Sequence, residues 1–261
     1  MTWFYITLSA VLLLFVLILY HVVKTTKEQM ESKLKAQKHQ LTNNIAHEIR
    51  TPVASIRGYL ETLVEMPELD EEHKRQFIER AYSQTLRLSN LIGDISLITK
   101  IEQDPTVLAK EYIGVRKLID DIILELDQRI KDMGVTVTDN IGDDISIKAN
   151  QPLFYAIFRN LIENSLKYAG KDFQIEIDCP AQEADRTVFK YFDTGKGVDD
   201  KELGHLFERF YRVKGNRYSE GSGLGLSIVK NAVEAHGGKI CARPHKPGGL
   251  EFEFYISNKT S

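Results

Sequence analysis

His47, in the run Ile45-Ala46-His47-Glu48-Ile49-Arg50-Thr51-Pro52, is the residue of this chain best placed to act as a nucleophile. Apolar side chains at Leu41, Ile45, Ile49, Val53 and Ile56 recur at steps of three and four, the stripe of an amphipathic helix. His47 lies off that stripe and should face solvent. Arg50 and Thr51, three and four positions later, share its face. Pro52 removes the helical hydrogen bond to the Glu48 carbonyl, at a cost of about 3 kcal/mol, and predicts a kink within a turn or so of the histidine. A solvated surface histidine is the plainer reading of one His alone. A helix-breaking residue set beside it argues for a task. An imidazole nitrogen attacks only when it carries a free lone pair, so a carboxylate that fixes the opposite N–H helps, and the Glu48 side chain can reach the ring.

Three further groups stand out, and two of them have the chemistry to hold phosphate. In the predicted helix 151–168, Asn160, Asn164, Lys167 and Tyr168 fall at i, i+4, i+7 and i+8, a polar stripe opposite Phe154, Ile157, Phe158, Leu161 and Leu166. Amide oxygens are hard ligands suited to Mg2+, and a lysine supplies a cation for phosphate. Asp193-Thr194-Gly195-Lys196-Gly197 ends a predicted strand and is also what a turn would use. Gly221-Ser222-Gly223-Leu224-Gly225 opens a predicted helix, where glycines let backbone N–H groups close on an anion. It is neither a Walker A loop nor the dinucleotide fingerprint.

The elements that position these groups follow from hydropathy. Two long amphipathic helices are predicted on either side of a break at 66–70, where Pro67 stops the first and Asp70 caps the second. The second carries its stripe through Phe77, Ala81, Leu88, Leu91, Ile95, Ile98 and Ile101. Such a hairpin cannot bury both stripes alone, so a homodimeric four-helix bundle is expected. After a linker at about 103–111, short β-branched runs (135–138, 145–147, 173–178, 187–192, 239–242 and 250–256) alternate with helices at 116–132, 151–168 and 224–236. That is an α/β sandwich with helices on one face of the sheet.

Residues 2–23 carry no charge, enough for a helix across a bilayer core, with Trp3, Tyr5 and Tyr20 near its ends. The positive charges follow the run (Lys24, Lys27, Lys33, Lys35, Lys38), which argues for an anchor over a cleaved leader and predicts a cytoplasmic C-terminal side. The expected organisation is an anchor at 1–23, a juxtamembrane helical linker at 24–40, a helical domain at 41–103 and an α/β domain at 110–258. The single span leaves no extracytoplasmic sensing domain, so the signal should enter through the membrane helix or a partner, unless the chain is a truncated form. A net charge of -3 over 261 residues gives no basic face for nucleic acid. Cys179 and Cys241 lack metal or redox spacing and fit reduced thiols.

The run from Ile45 to Pro52 closely resembles the H-box of bacterial two-component sensor histidine kinases. The resemblance extends over about 40–258: the helix of Asn160 and Asn164 is similar to the N-box, 193–197 to the G1 box, Phe207-Glu208-Arg209-Phe210-Tyr211-Arg212 to the F-box, and 221–225 to the G2 box. It implies a GHKL (Bergerat) ATP-binding fold behind a dimerisation hairpin, a homodimer, and a membrane-bound, single-pass enzyme of the bacterial cell membrane with cytoplasmic catalytic domains. It implies His47 as phosphoacceptor, Glu48 as holder of its tautomer, and Arg50 and Thr51 beside them, Thr51 supporting phosphatase activity. It implies that Asn164 binds Mg2+ with Asn160 beside it, and that Lys167 contacts phosphate. Asp193 would accept the adenine amino group. Tyr168, Gly195, Gly197, Phe207, Arg209, Arg212, Gly221, Gly223, Leu224 and Gly225 would line the ATP site, with 214–220 as a mobile lid. The partner implied is the receiver domain of a cognate response regulator. Ser165 departs from the pattern, where alanine is commoner. Chaperone- and topoisomerase-type ATPases of this fold place a glutamate at the position of Asn160 to activate water, so transfer is favoured over hydrolysis. A scaffold derived from a kinase is disfavoured by the intact Asn164, Asp193 and Gly223.

Overall fold

The computed structural model describes the backbone of residues 2–103, 109–213 and 221–258, and side chains within those segments except at 2–16, 33–38, 102 and 103. The predicted lid at 214–220 and the middle of the interdomain linker lie outside the described residues. The hairpin is built from α1 (Thr2–Glu65) and α2 (Glu71–Gln103). The segments expected as anchor, juxtamembrane linker and H-box helix are therefore one continuous helix, and Pro52 sits inside it without ending it. Among the described residues no helix is long and apolar enough to cross a membrane. Most of the run read as an anchor lies outside the residues whose side chains are described.

The turn follows its sequence signals. Asp70 Oδ1 accepts the His73 N–H at 2.9 Å, capping α2. Its partner oxygen meets the His73 ring at 2.6 Å, and these bonds hold the Asp70 carboxyl below its ordinary range. The face of α1 that carries Val53, Leu60 and Val64 remains 46–79% exposed, a shallow apolar groove along the hairpin.

The second domain runs β1 (Glu111–Gly114), α3 (Val115–Asp132), β2 (Thr136–Asp139), β3 (Ser146–Ala149), α4 (Gln151–Tyr168), β4 (Gln174–Gln182), β5 (Arg186–Asp193), α5 (Asp200–Leu203), α6 (Gly225–Ala235), β6 (Lys239–Pro244) and β7 (Leu250–Ser257). The main sheet has the order β2-β4-β5-β7-β6, with β2 parallel to β4 and the other pairs antiparallel. Strand β1 pairs with β3 in a separate two-stranded sheet. Alternation decides the faces: Phe189 and Tyr191 of β5 and Phe252 and Phe254 of β7 are buried, while Lys190 and Glu253 pair at 3.6 Å on the other side. From α4, Phe154 packs on Phe189, and Phe158 on Phe189 and Phe254, tilted or edge-on at centroid distances of 5.6–5.8 Å. Helix α4 therefore lies flat on the sheet and its polar stripe faces away from it.

The ends of α4 are fixed as well. Asn150 caps it through the Leu153 N–H at 3.2 Å, with a proline in the first turn. His236, buried at the end of α6, accepts the Asn150 N–H at 3.0 Å and donates to the Ala232 carbonyl at 2.7 Å. Burial holds this imidazole below its ordinary pKa, in keeping with a neutral ring that accepts at one nitrogen and donates at the other.

Candidate active site

The polar stripe of α4 opens into a cavity of about 780 Å³. Asn160, Asn164, Lys167 and Tyr168 all line it. So do Asp193 and Gly197 beyond β5, Arg212, and the glycines Gly221, Gly223 and Gly225 that lead into α6. These glycines are required by what stands next to them. A Cβ on Gly221 would lie 2.4 Å from the Tyr168 hydroxyl, and one on Gly225 would lie 2.9 Å from Asn160 Oδ1. Gly223 has φ +71°, and its Cβ would meet the Phe210 backbone at 2.8 Å. The loop is thus pressed between the stripe of α4 and the Phe210 segment, with no room for a side chain at its three glycines. Helix α6 starts at Gly225 with no side-chain cap on its first turn, which leaves amide donors for an anion.

Asp193 closes the other end of the cavity. It is 3% exposed and accepts from Ser165 Oγ at 2.7 Å and from the Gly195 N–H at 3.0 Å. Gly249, at φ +108°, brings the β6–β7 turn so close that a Cβ would fall 1.8 Å from the Asp193 carbonyl oxygen. Gly195 is packed on Ala169. An ATP molecule fits this set: an acceptor at one end, amide oxygens and a cation along the wall, and a glycine-rich loop leading to an uncapped helix start at the other. Asn164, with Asn160 beside it, would hold Mg2+, which neutralises phosphate charge.

Lys167 is held by a neighbouring carboxylate. Its Nζ donates to Glu163 Oε2 at 2.9 Å, and Glu163 also meets Arg159 at 3.0 Å and Arg129 at 3.6 Å. Burial raises the Glu163 carboxyl, but Lys167, Arg159 and Arg129 outweigh it and hold the group below its ordinary range. A phosphate reaching Lys167 would therefore share it with Glu163.

The cavity is a cleft between the two domains. Glu48 of α1 and Asn90, Leu91 and Asp94 of α2 form its far wall. An apolar cluster clamps the cleft, with Leu91 and Ile98 of α2 against Ala156, Leu224 and Ile228, joined at its edge by Ile49 and Phe210. Burial and then the facing Glu163 push the Asp94 carboxyl up to about 6. The docked form thus binds this proton more tightly than an open one. Its contribution is complete at pH below the ordinary carboxylate value and is lost as pH rises through about 6. Asp94→Asn should therefore stabilise the docked protein at pH 7.5 by about 1 kcal/mol, a value discounted for partial exposure, and by only about a third of that at pH 4.5. Calorimetric melting at the two pH values measures this.

The structure places His47 on the exposed side of α1, next to Glu48 in the cleft wall but not itself in the cavity lining. Arg50 and Thr51 are exposed beyond it, and the Thr51 hydroxyl donates to the His47 carbonyl at 3.2 Å. Four further predicted residues lie outside the cavity lining. Phe207 packs edge-on against Phe252, Leu224 is buried in the interdomain cluster, Arg209 is half-buried, and Gly195 supports Asp193. Sequence reasoning misses Ser165, Glu163 and Gly249. The Arg159, Glu163, Lys167 spacing of four is a signal it could have used; the other two depend on contacts far apart in sequence.

Comparisons with known proteins agree with this arrangement. Residues 37–104 match the His Kinase A (phospho-acceptor) domain, and residues 149–260 match the histidine kinase-, DNA gyrase B- and HSP90-like ATPase family. The sensor protein KdpD of Clostridium acetobutylicum is 32% identical over 88% of this chain and 26% of its own length. The signal transduction histidine-protein kinase BaeS of Escherichia coli is 32% identical over 79% of this chain and 44% of its own. The chain spans about a quarter to a half of the length of the curated relatives it matches. Among solved structures, Acinetobacter baumannii histidine kinase AdeS superposes with a TM-score of 0.68 at 19% identity, over 82% of this chain and 98% of that one. Histidine kinase ThkA, in a complex with response regulator protein TrrA, gives 0.65 at 21% identity over 84% of this chain and 61% of that one. With a phospho-acceptor hairpin ahead of an ATPase domain and a cleft between them, the chain belongs to the two-component sensor histidine kinases.

Proposed function

We propose that this chain is a membrane-bound, ATP-dependent protein-histidine kinase. It transfers the γ-phosphoryl group of ATP to His47, passes it to an aspartate of a response regulator, and also dephosphorylates that regulator. The observation that carries this reading is the single cleft in which Glu48, neighbour of the acceptor, faces the wall that bears Asn164 and Asp193. The attacking imidazole nitrogen offers its lone pair to the γ-phosphorus; the N–P bond forms, the bond to the bridging oxygen breaks, and ADP leaves. Glu48 holds the proton on the other ring nitrogen and balances the charge that develops there. A receiver aspartate then takes the phosphoryl group and the imidazole is regenerated. Asn160, which donates to the Ala156 carbonyl at 2.8 Å, offers no carboxylate to activate water, which favours transfer over hydrolysis.

Two partners follow from exposed surface. The Val53, Leu60 and Val64 face of α1, with Ile78 and Tyr82 of α2, supports pairing with a second hairpin in a homodimer. Exposed Leu17, Ile18 and Val22, ahead of Lys24 and Lys27, support a membrane anchor with the catalytic domains in the cytoplasm. The full chain in detergent, given γ-labelled ATP and Mg2+, should acquire a label stable in base and lost in acid, and should hand it to an added receiver domain. An unlabelled chain overturns the reading.

The phosphatase step has its own test. Thr51 sits one turn beyond His47 on its exposed side, where a hydroxyl can orient water for in-line attack on a docked aspartyl phosphate. Its bond to the His47 carbonyl leaves the oxygen's lone pairs available. Thr51→Ala should leave autophosphorylation within a few-fold and slow regulator dephosphorylation by about tenfold or more. A parallel fall in both rates would make the residue structural.

A further inference from the structure

Behind Asp193 runs a buried line of hydroxyl groups. Tyr191, fully buried on β5, donates to Ser165 Oγ at 2.8 Å, and Ser165, 1% exposed on α4, donates to Asp193 Oδ2 at 2.7 Å. A carboxylate oxygen only accepts, so the line has one direction, from Tyr191 through Ser165 to Asp193. The second oxygen, Oδ1, accepts the Gly195 N–H at 3.0 Å. The carboxylate is therefore pinned at both oxygens, one by each flank, and cannot turn about its bond to the chain. Asp193 and Ser165 also line the cavity. An acceptor held in one plane takes a donor arriving in that plane and offers nothing to a base without one. Each hydroxyl in such a line polarises the next, so the effect of Tyr191 reaches Asp193 through Ser165.

We propose that Ser165, backed by Tyr191, is a positioning residue that strengthens this site's preference for a purine carrying a 6-amino group. The assignment rests on the cavity being the ATP site. The carboxylate of Asp193 receives the amino hydrogen; Ser165 sets where its oxygens point. The serine can be removed without leaving Tyr191 stranded, because the Leu161 carbonyl lies 3.2 Å from the same hydroxyl. Ser165→Ala thus deletes one oxygen from a packed site and leaves every remaining donor a partner.

The test measures affinity of the full chain in detergent for Mg2+-ATP and for Mg2+-purine ribonucleoside triphosphate, which lacks only the 6-amino group. Ser165→Ala should weaken ATP about tenfold, the scale of one hydrogen bond to a charged acceptor, and the analogue less than about twofold. Tyr191→Phe should weaken ATP about threefold with the same selectivity. The double variant should bind ATP no worse than Ser165→Ala alone, because Tyr191 acts through the serine. Equal losses for both nucleotides, or an unchanged preference in Ser165→Ala, would overturn the assignment. A wild-type protein that does not prefer ATP to the analogue overturns the ATP reading itself, which separates the two failures.

Discussion

His47→Gln should abolish phosphate incorporation from ATP while ATP affinity stays within about twofold of wild type, because the residue lies outside the cavity that would bind nucleotide. Glutamine keeps a side chain of similar reach and a hydrogen-bonding end but has no nitrogen lone pair able to attack phosphorus. His47 is exposed on α1, so its replacement leaves no buried group without a partner and the hairpin should melt as before. The loss should therefore be at least about a thousandfold and confined to the chemical step. Quantitative labelling beside a nucleotide-binding titration measures both halves. Residual acid-labile label on the variant would move the acceptor elsewhere; His21, His39, His73 and His205 are the other exposed histidines to examine next.

Asn164→Ala should reduce autophosphorylation by about a hundredfold or more, the expected scale for loss of a ligand to the metal that neutralises phosphate charge. Asn164 lines the cavity from the polar side of α4, away from the aromatic packing that holds the helix on the sheet. Alanine is the better helix former at that position, so stability should be unchanged or slightly higher. Raising Mg2+ should recover part of the rate in this variant. Asp193→Asn, by contrast, should lose adenine affinity in a way that no Mg2+ concentration restores. Rates measured across a Mg2+ series distinguish the two. An Asn164→Ala rate with wild-type Mg2+ dependence would remove the residue from the metal site.

Local signals are strong where the chain is regular. Helix 151–168 is legible to the residue because Asn150, a proline in the first turn and the aromatic stripe agree on its start, length and buried face. The strands of the main sheet are legible within a few residues for the same reason: alternating burial in β5 and β7 repeats alternating hydropathy. Strand β1 is not legible, since only Ile113 of its four residues is buried, and α5 is a four-residue turn of helix. Pro52 lies inside α1 without ending it, so the helix continues past the one hydrogen bond that proline cannot donate. At the site, residue types on one helix are readable, as with Asn160, Asn164 and Lys167. The Ser165–Asp193 bond joins residues 28 apart, and Gly249 meets Asp193 only once β7 lies beside β5. Those contacts are products of sheet order and register, which a linear reading does not contain.

Helix α1 has a mechanical consequence. Its 64 residues make a shaft about 96 Å long with no break between Thr2 and Glu65. From residue 23 to His47 is about 36 Å of unbroken helix, so a twist applied at the N-terminal end arrives at the histidine with its angle preserved. Phase along such a shaft is counted in residues: one added or removed residue turns everything downstream by about 100°, and seven restore it to within about 20°. Pro52 lies five positions past His47, where the ladder lacks one rung. The shaft is thus stiff up to the acceptor and has its compliant joint just after it. A torque would swing His47 and Glu48 as one piece toward or away from the cleft, while the turn at the far end of the hairpin stays where it is.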